Sequence, residues 1–281
     1  MKRRTHLAPK AITALLTITL LAASTRSALA GPPFPDKNLE AAIRAVLKHE
    51  PKVELTDEKL LDIYFLEAPG KEIKDLTGLE KCKNLALIKL TKNKISDLKP
   101  LKDLANLQSL DLAQNEIKDI APLAGCKALQ YIELSDNKIE KIDALKELTA
   151  LNSLYLGNNK IEDISPLAGL TKAWTLSAPK NQIKDISVLS KITKLSTIDL
   201  RDNKIEDPAP LGKQTELQLL MIERNKIKDL KALVDAAKAD SAGPKRFAPY
   251  LRLYFAGNPI SDDTKKSQVA ALKAAEVRVE D

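Results

Sequence analysis

The sequence predicts a solenoid of the α/β class: about nine stacked coils, each with a short strand, a turn and a return segment, closed by helical caps. Three observations predict it. Asn93, Asn115, Asn137, Asn159, Asn181, Asn203 and Asn225 recur every 22 residues. Apolar residues keep fixed offsets around each, as in Leu107, Leu110 and Leu112 before Asn115 and Ile117, Ile120 and Leu123 after it. One such unit cannot bury its own apolar face, so neighbouring units must stack on it.

Residues 1–30 read as a secretory signal peptide that the mature protein loses. Lys2, Arg3, Arg4 and Lys10 form a basic start, Ala11 to Ala23 is apolar, and Ala28-Leu29-Ala30 offers a small-x-small cleavage site. An apolar stretch of this length reaches only ~20 Å as a helix, short of the ~30 Å of bilayer hydrocarbon. Removing the segment takes five basic and no acidic residues, so a chain of net charge +7 becomes one with 40 Lys+Arg against 38 Asp+Glu. That near-balance removes the main support for nucleic-acid binding. With no later apolar run of spanning length, the expectation is a soluble, monomeric bacterial protein that is exported, either periplasmic or extracellular.

Residues 31–62 are expected to form an N-terminal helical cap. Phe34-Pro35-Asp36 precedes an amphipathic stretch with Leu39, Ile43, Val46 and Leu47 on one face, and Thr56-Asp57 can start a second short helix. The repeats occupy residues 63–260. Lys71, with Ile73, Asp75, Leu76 and Leu79, fits one period before Asn93 although the Asn itself is missing. In each copy alternate Leu residues point inward from the strand, and the return segment is often marked by Pro100, Pro122, Pro166 or Pro210. Asn258 with Ile260 follows Asn225 by 33 residues, one period plus an insertion of eleven. That insertion falls near residues 239–249, where Ala242-Gly243-Pro244 signals a loop. Residues 261–281 are expected to cap the other end, with a helix over Asp263 to Ala275 that uses Val269 and Leu272. The anchor Asn residues are structural: at each turn they can satisfy backbone groups of adjacent coils that would otherwise be buried unpaired.

The unit Leu-x-x-Leu-x-Leu-x-x-Asn-x-Ile-x-Asp-Ile-x-Pro-Leu resembles the 22-residue class of leucine-rich repeats, especially those of bacterial internalin-like proteins. The resemblance runs from Ile63 to Ile260. It implies a curved horseshoe with a parallel β-sheet on the concave face and short helical or extended turns outside, and the N-terminal segment resembles the cap of internalin-like proteins. It says little about the partner, because the same scaffold serves many unrelated ones.

Cys82 and Cys126 each lie eleven residues before an anchor Asn, where Leu104, Leu148, Leu170 and Ile192 stand in other coils. Both are expected as buried free thiols, two coils and ~10 Å apart, beyond the ~7 Å Cα limit for a disulfide. Two Cys and two His leave no material for a disulfide framework or zinc cluster, and no cofactor is expected. His49 has no nucleophile that could partner it.

Function must then lie in the outward columns, seven, six, four and two positions before each anchor. Six of the ten aromatic residues fall in them: Tyr64, Phe65, Tyr131, Tyr155, Trp174 and Tyr254. Exposed Tyr and Trp are frequent binding hot spots. Tyr131, Tyr155 and Trp174 come from successive coils, and with Glu133, Asp199, Arg201 and Met221 they form the expected partner-binding patch. The competing reading has the aromatics only packing on one another across strands. A second concerns Trp174 alone, because Ala173 and Ala178 thin the core there and a one-residue slip would turn the indole inward. Tyr64 and Phe65 are expected under the N-terminal cap. Asp111 and Glu133 stand ~5 Å apart, as in a retaining glycosidase, but a shallow face excludes no water and Lys89 is expected to neutralise Asp111, so no enzyme is expected. A weak divalent-ion site there stays open. The turn lysines Lys94, Lys138, Lys160, Lys204 and Lys226 are accompanied by acids in every coil and read as a solvated edge. The leading function is a non-enzymatic scaffold for a protein partner; the alternative is a binder of cell-envelope glycan.

Overall fold

The residue before each anchor breaks the strand. Gly70, Lys92, Gln114, Asp136, Asn158, Lys180, Asp202, Arg224 and Gly257 all have positive φ, between 51° and 73°, a region that is costly for any residue but Gly, Asn or Asp. The chain therefore turns sharply at the same point of every coil. What holds the turn is the anchor that follows. Asn93 Oδ1 accepts from the N–H of Lys71 and of Ile73, each at 3.0 Å, while Nδ2 donates to Ala68 O and Leu90 O. The pattern continues coil after coil to Asn258, whose Oδ1 accepts from Ile227 N at 3.1 Å and whose Nδ2 donates to Ile222 O at 2.9 Å. The anchors thus link each coil to the one before it, and the structural reading of these Asn residues holds.

The computed structural model describes residues 33–280, and the signal peptide expected at residues 1–30 lies outside them. Ten short strands form one parallel sheet in sequence order: β1 (Phe65–Glu67), β2 (Leu87–Lys89), β3 (Ser109–Asp111), β4 (Tyr131–Glu133), β5 (Ser153–Tyr155), β6 (Thr175–Ser177), β7 (Thr197–Asp199), β8 (Leu219–Met221), β9 (Arg252–Tyr254) and β10 (Arg278–Glu280). The central residue of each repeat strand is buried, and those on either side face out. The register pairs Phe65, Leu87, Ser109, Tyr131, Ser153, Thr175, Thr197, Leu219 and Arg252 in one column. This is the column expected from the 22-residue period. Return segments are 3₁₀ turns such as Ala121–Gly125 and Ser165–Gly169, each with Pro at its start, where a missing N–H costs nothing. Cys82 and Cys126 lie in this return layer, buried and free; burial pushes their thiols up to about 12 and about 11.

Helix α1 (Lys37–Leu47) closes the first coil by burying Leu39 and Ile43. Asp36 ties it down. Its Oδ1 accepts from Asn38 N and Leu39 N at the helix start, and its Oδ2 from Lys74 N at 2.7 Å and Asp75 N at 3.2 Å in the first coil. Burial works against its charge, but these four N–H groups hold the carboxyl below its usual range. Val46, expected on the apolar face, is instead 38% exposed. A second helix, α2 (Asp57–Leu60), follows Thr56 and buries Leu60.

The insertion holds more structure than the Gly-Pro loop alone suggests. The last return segment is enlarged into helix α3 (Lys231–Ala242), burying Leu233, Val234 and Ala237. Buried Asp240 then accepts from Arg246 N, Phe247 N and Ala248 N, fastening the loop. Helix α4 (Asp262–Ala274), capped by Ser261, buries Leu272. The chain then returns to the sheet as β10, a tenth strand that the repeat pattern does not announce. No helix among the described residues is long and apolar enough to cross a membrane.

Candidate binding surface

The outward faces of β4 to β6 bring four of the expected residues together. Tyr131 and Tyr155, one column apart on adjacent strands, approach to 5.5 Å between ring centroids at 43°. This tilted geometry is favourable for aromatic pairs. So the two rings do pack on one another, yet both keep part of their surface outward. Trp174, one residue before β6, is 58% exposed; the inward slip does not occur. Its indole Nε1 donates to Ser153 Oγ at 2.9 Å, and Ser153 is the register partner of Tyr131. The indole is thereby held back over β5, beside the tyrosines. Ser153 was not anticipated. The only signal in the sequence is a small hydroxyl in the next column of the preceding coil.

Glu133 completes this group. It pairs in register with Asp111 on one side and Tyr155 on the other. Its Oε1 accepts from Ser135 N at 2.7 Å. Burial raises its pKa above the ordinary value, Ser135 opposes the rise and Asp111 adds to it. Tyr131 is pushed up to about 12 by burial, with Glu133, Asp111 and Tyr155 contributing, so its hydroxyl stays neutral at any physiological pH.

Asp199, Arg201 and Met221 form a separate group two and three strands further along, ~10–15 Å from Tyr155 at ~4.8 Å per strand. Asp199 is only 4% exposed, and Arg201 grips it with Nε at 2.9 Å and Nη2 at 2.7 Å. Their charges are spent on each other, and Arg201 presents mainly its outer edge. Met221 lies half-buried between Asp199 and Tyr254 in register.

Two expectations about neighbouring residues are corrected. Tyr64 and Phe65 are not covered by the cap but are 51% and 61% exposed. Helix α1 packs over the end of the core through Leu39 and Ile43, not over the sheet face. Lys89 does pair with Asp111 in strand register, yet it makes no ion pair with it. Among the described residues neither Asp111 nor Glu133 has a cationic partner, and no group of three or more His, Cys, Asp or Glu side chains is placed to hold a metal ion. By contrast three of the five turn-edge lysines are ion-paired, Lys138 with Glu116 at 3.1 Å, Lys160 with Glu140 at 3.6 Å and Lys94 with Glu72, and Lys204 donates to Gln182 at 2.9 Å.

The fold and its open sheet face define a repeat scaffold that presents side chains in columns instead of enclosing a reaction centre. Segments 87–125, 105–147 and 127–169 match the profile described as Leucine Rich repeats (2 copies). Internalin C2 of Listeria monocytogenes is 33% identical, with 74% of this chain and 94% of that one covered and a TM-score of 0.70. Internalin InlF of the same organism is 25% identical, with 91% and 92% covered and a TM-score of 0.54. The plant peptide hormone receptor RGFR1, solved in complex with RGF2, is 18% identical, with 64% of this chain and 30% of that one covered, and shares the fold at a TM-score of 0.54. No curated protein matches the chain in sequence. The chain belongs to the bacterial internalin-like leucine-rich repeat family, whose fold serves generally as a non-enzymatic interaction scaffold.

Proposed function

We propose that the protein is an interaction scaffold of an exported compartment that holds a protein partner on its concave sheet. Tyr131, Tyr155 and Trp174 supply the contact, Glu133 flanks them, and Asp199, Arg201 and Met221 extend the surface. One observation carries the reading: the single Trp is 58% exposed yet fixed by its bond to Ser153. An exposed aromatic that is already ordered loses little entropy on binding, which is what an anchor requires. The RGFR1 structure, in which the same fold is in complex with RGF2, supports a protein or peptide partner. The test is in vivo crosslinking followed by affinity capture of the intact chain and of a Tyr155→Ala/Trp174→Ala variant. The reading expects a crosslinked protein that is lost from the variant. Unchanged crosslinking by a correctly folded variant rejects the patch, and selective binding on a glycan array with no protein adduct rejects a protein partner.

A further inference from the structure

We propose that the acidic side of the aromatic group is the seat of an arginine side chain from the partner, stacked on Tyr131 and Tyr155 and reaching Asp111 and Glu133. This rests on the reading of the concave sheet as a protein-docking face and gives that partner a chemistry.

The first observation is a missing cation. Several acids of the sheet face and turn edge are matched, Asp199 by Arg201, Asp202 by Arg224 and Glu116 by Lys138, whereas among the described residues Glu67 and Glu223 stand without an ion pair singly, and Asp111 and Glu133 do so side by side. Asp111 and Glu133 are register partners on β3 and β4, so their backbones are ~4.8 Å apart, and no cation of the described residues pairs with either. Asp111 Oδ1 accepts from Ala113 N at 3.1 Å, and Glu133 accepts from the Ser135 side chain and from Ser135 N, the latter at 2.7 Å. Lys89, the obvious neutraliser, stands in register and does not engage. Two adjacent carboxylates on a partly buried surface repel one another; burial is the main cause of the raised Glu133 pKa, and Asp111 adds to it.

The second observation is the aromatic pair beside them. Tyr155 is the next residue along the column from Glu133, and Tyr131 is two residues before Glu133 on the same strand. The two rings and the two carboxylates therefore share one patch. The negative face of an aromatic ring attracts a cation, and here the adjacent carboxylates add to the same field. A planar guanidinium can stack on a ring while its fork bonds carboxylate oxygens; an ammonium offers a point charge without the flat face. A divalent metal fits less well, since it requires six or more oxygen ligands and this patch supplies two carboxylates without a third.

The probe is the peptide acetyl-Gly-Arg-Gly-amide, with its citrulline counterpart as a neutral isostere, titrated into the full chain. Tyrosine ring resonances and the emission of Trp174, the only Trp, report binding. The proposal expects saturable shifts at Tyr131 and Tyr155 with the arginine peptide, weaker by about ten-fold or more with citrulline. It expects a similar loss in Asp111→Asn/Glu133→Gln, whose amide oxygens can still accept from Ala113 N and Ser135 N, and weakening as salt rises. Equal binding of the citrulline peptide, unchanged affinity in the double variant, or displacement by calcium at matched ionic strength overturns it. Should Tyr155→Ala/Trp174→Ala abolish partner crosslinking while the arginine peptide shows no charge preference, the docking face stands and the arginine seat falls. Should the peptide behave as expected while partner crosslinking survives the aromatic variant, the docking reading fails instead.

Discussion

Replacing Asn159 by alanine tests whether the anchor column holds the solenoid together. Asn159 Oδ1 is the one acceptor for the buried N–H of Ile139, at 3.0 Å, and Nδ2 donates to Leu134 O, Leu156 O and Gly157 O between 3.0 and 3.2 Å. The carbonyls survive the substitution better than the amide does. Leu134 O keeps Asn137, Leu156 O keeps Asn181, and Gly157 O keeps Asp136 N. Ile139 N–H is left with nothing, at about 1–3 kcal/mol, and the three lost donor bonds add about 1 kcal/mol each, so a total of about 4–6 kcal/mol is expected. Urea unfolding followed by far-ultraviolet circular dichroism measures it, with Lys160→Ala as control. Lys160 is the adjacent exposed residue, paired only with Glu140 at 3.6 Å, and should cost under about 0.5 kcal/mol. Nearest-neighbour coupling in a repeat array also predicts a broader transition for Asn159→Ala, because the two halves become less cooperative. A loss below about 1 kcal/mol would refute the assignment of the orphaned amide and with it the mechanism of coil coupling.

Three further outcomes follow from particular contacts. Gly78→Ala should destabilise the N-terminal cap by roughly 2 kcal/mol or more, since Gly78 has φ 105° and an added Cβ would lie 2.2 Å from Pro33 O and 2.6 Å from the Phe34 ring; an unchanged melting temperature contradicts this. Ser153→Ala should leave stability within about 1 kcal/mol but free the indole, seen as a red shift and lower anisotropy of Trp174 emission, and identical emission would show that the bond to Ser153 orders nothing. Asp240→Asn should cost most at neutral pH. Burial opposes the Asp240 charge, but the N–H groups of Ala248, Arg246 and Phe247 hold its pKa below the model-peptide value, so the stability it adds is present above the unfolded pKa and disappears as pH falls through the folded one. Denaturation of the chain and the variant at pH 7 and at pH 2 should show the gap narrowing in acid, and a gap that widens contradicts the sign.

Much of this architecture was written in the period. Once Asn115 and Asn137 define a 22-residue interval, the identity of register partners such as Asp111 and Glu133 follows from counting, and the structure pairs them as counted. Features that depend on no shared residue type were not legible. The left-handed position before each anchor is held by Lys, Gln, Asp, Asn, Arg and Gly in different coils, because the hydrogen bonds of the anchor impose the conformation from outside. Helix α3 was hidden behind the Gly-Pro signal at its end, and β10 lacks the Leu and Asn of a repeat. Exposure at the ends was misjudged for a related reason: the period places Phe65 in an outward column but does not say how far α1 extends over it. Side-chain pairing is finer still. Asp199 and Arg201 were legible as outward neighbours, but that they neutralise each other while Lys89 leaves Asp111 unpaired depends on rotamers that the sequence does not specify.

The central claim is that the concave sheet around Trp174 is where a protein partner sits. A photo-crosslinking amino acid placed at Ser177, on β6 beside the aromatic group, and in a second variant at Tyr250, which is exposed on the insertion loop, tests it in the native host. The account predicts a discrete protein adduct from Ser177 that is absent from Tyr250. A discrete adduct from Tyr250 with none from Ser177 would place the partner elsewhere on the solenoid and contradict it.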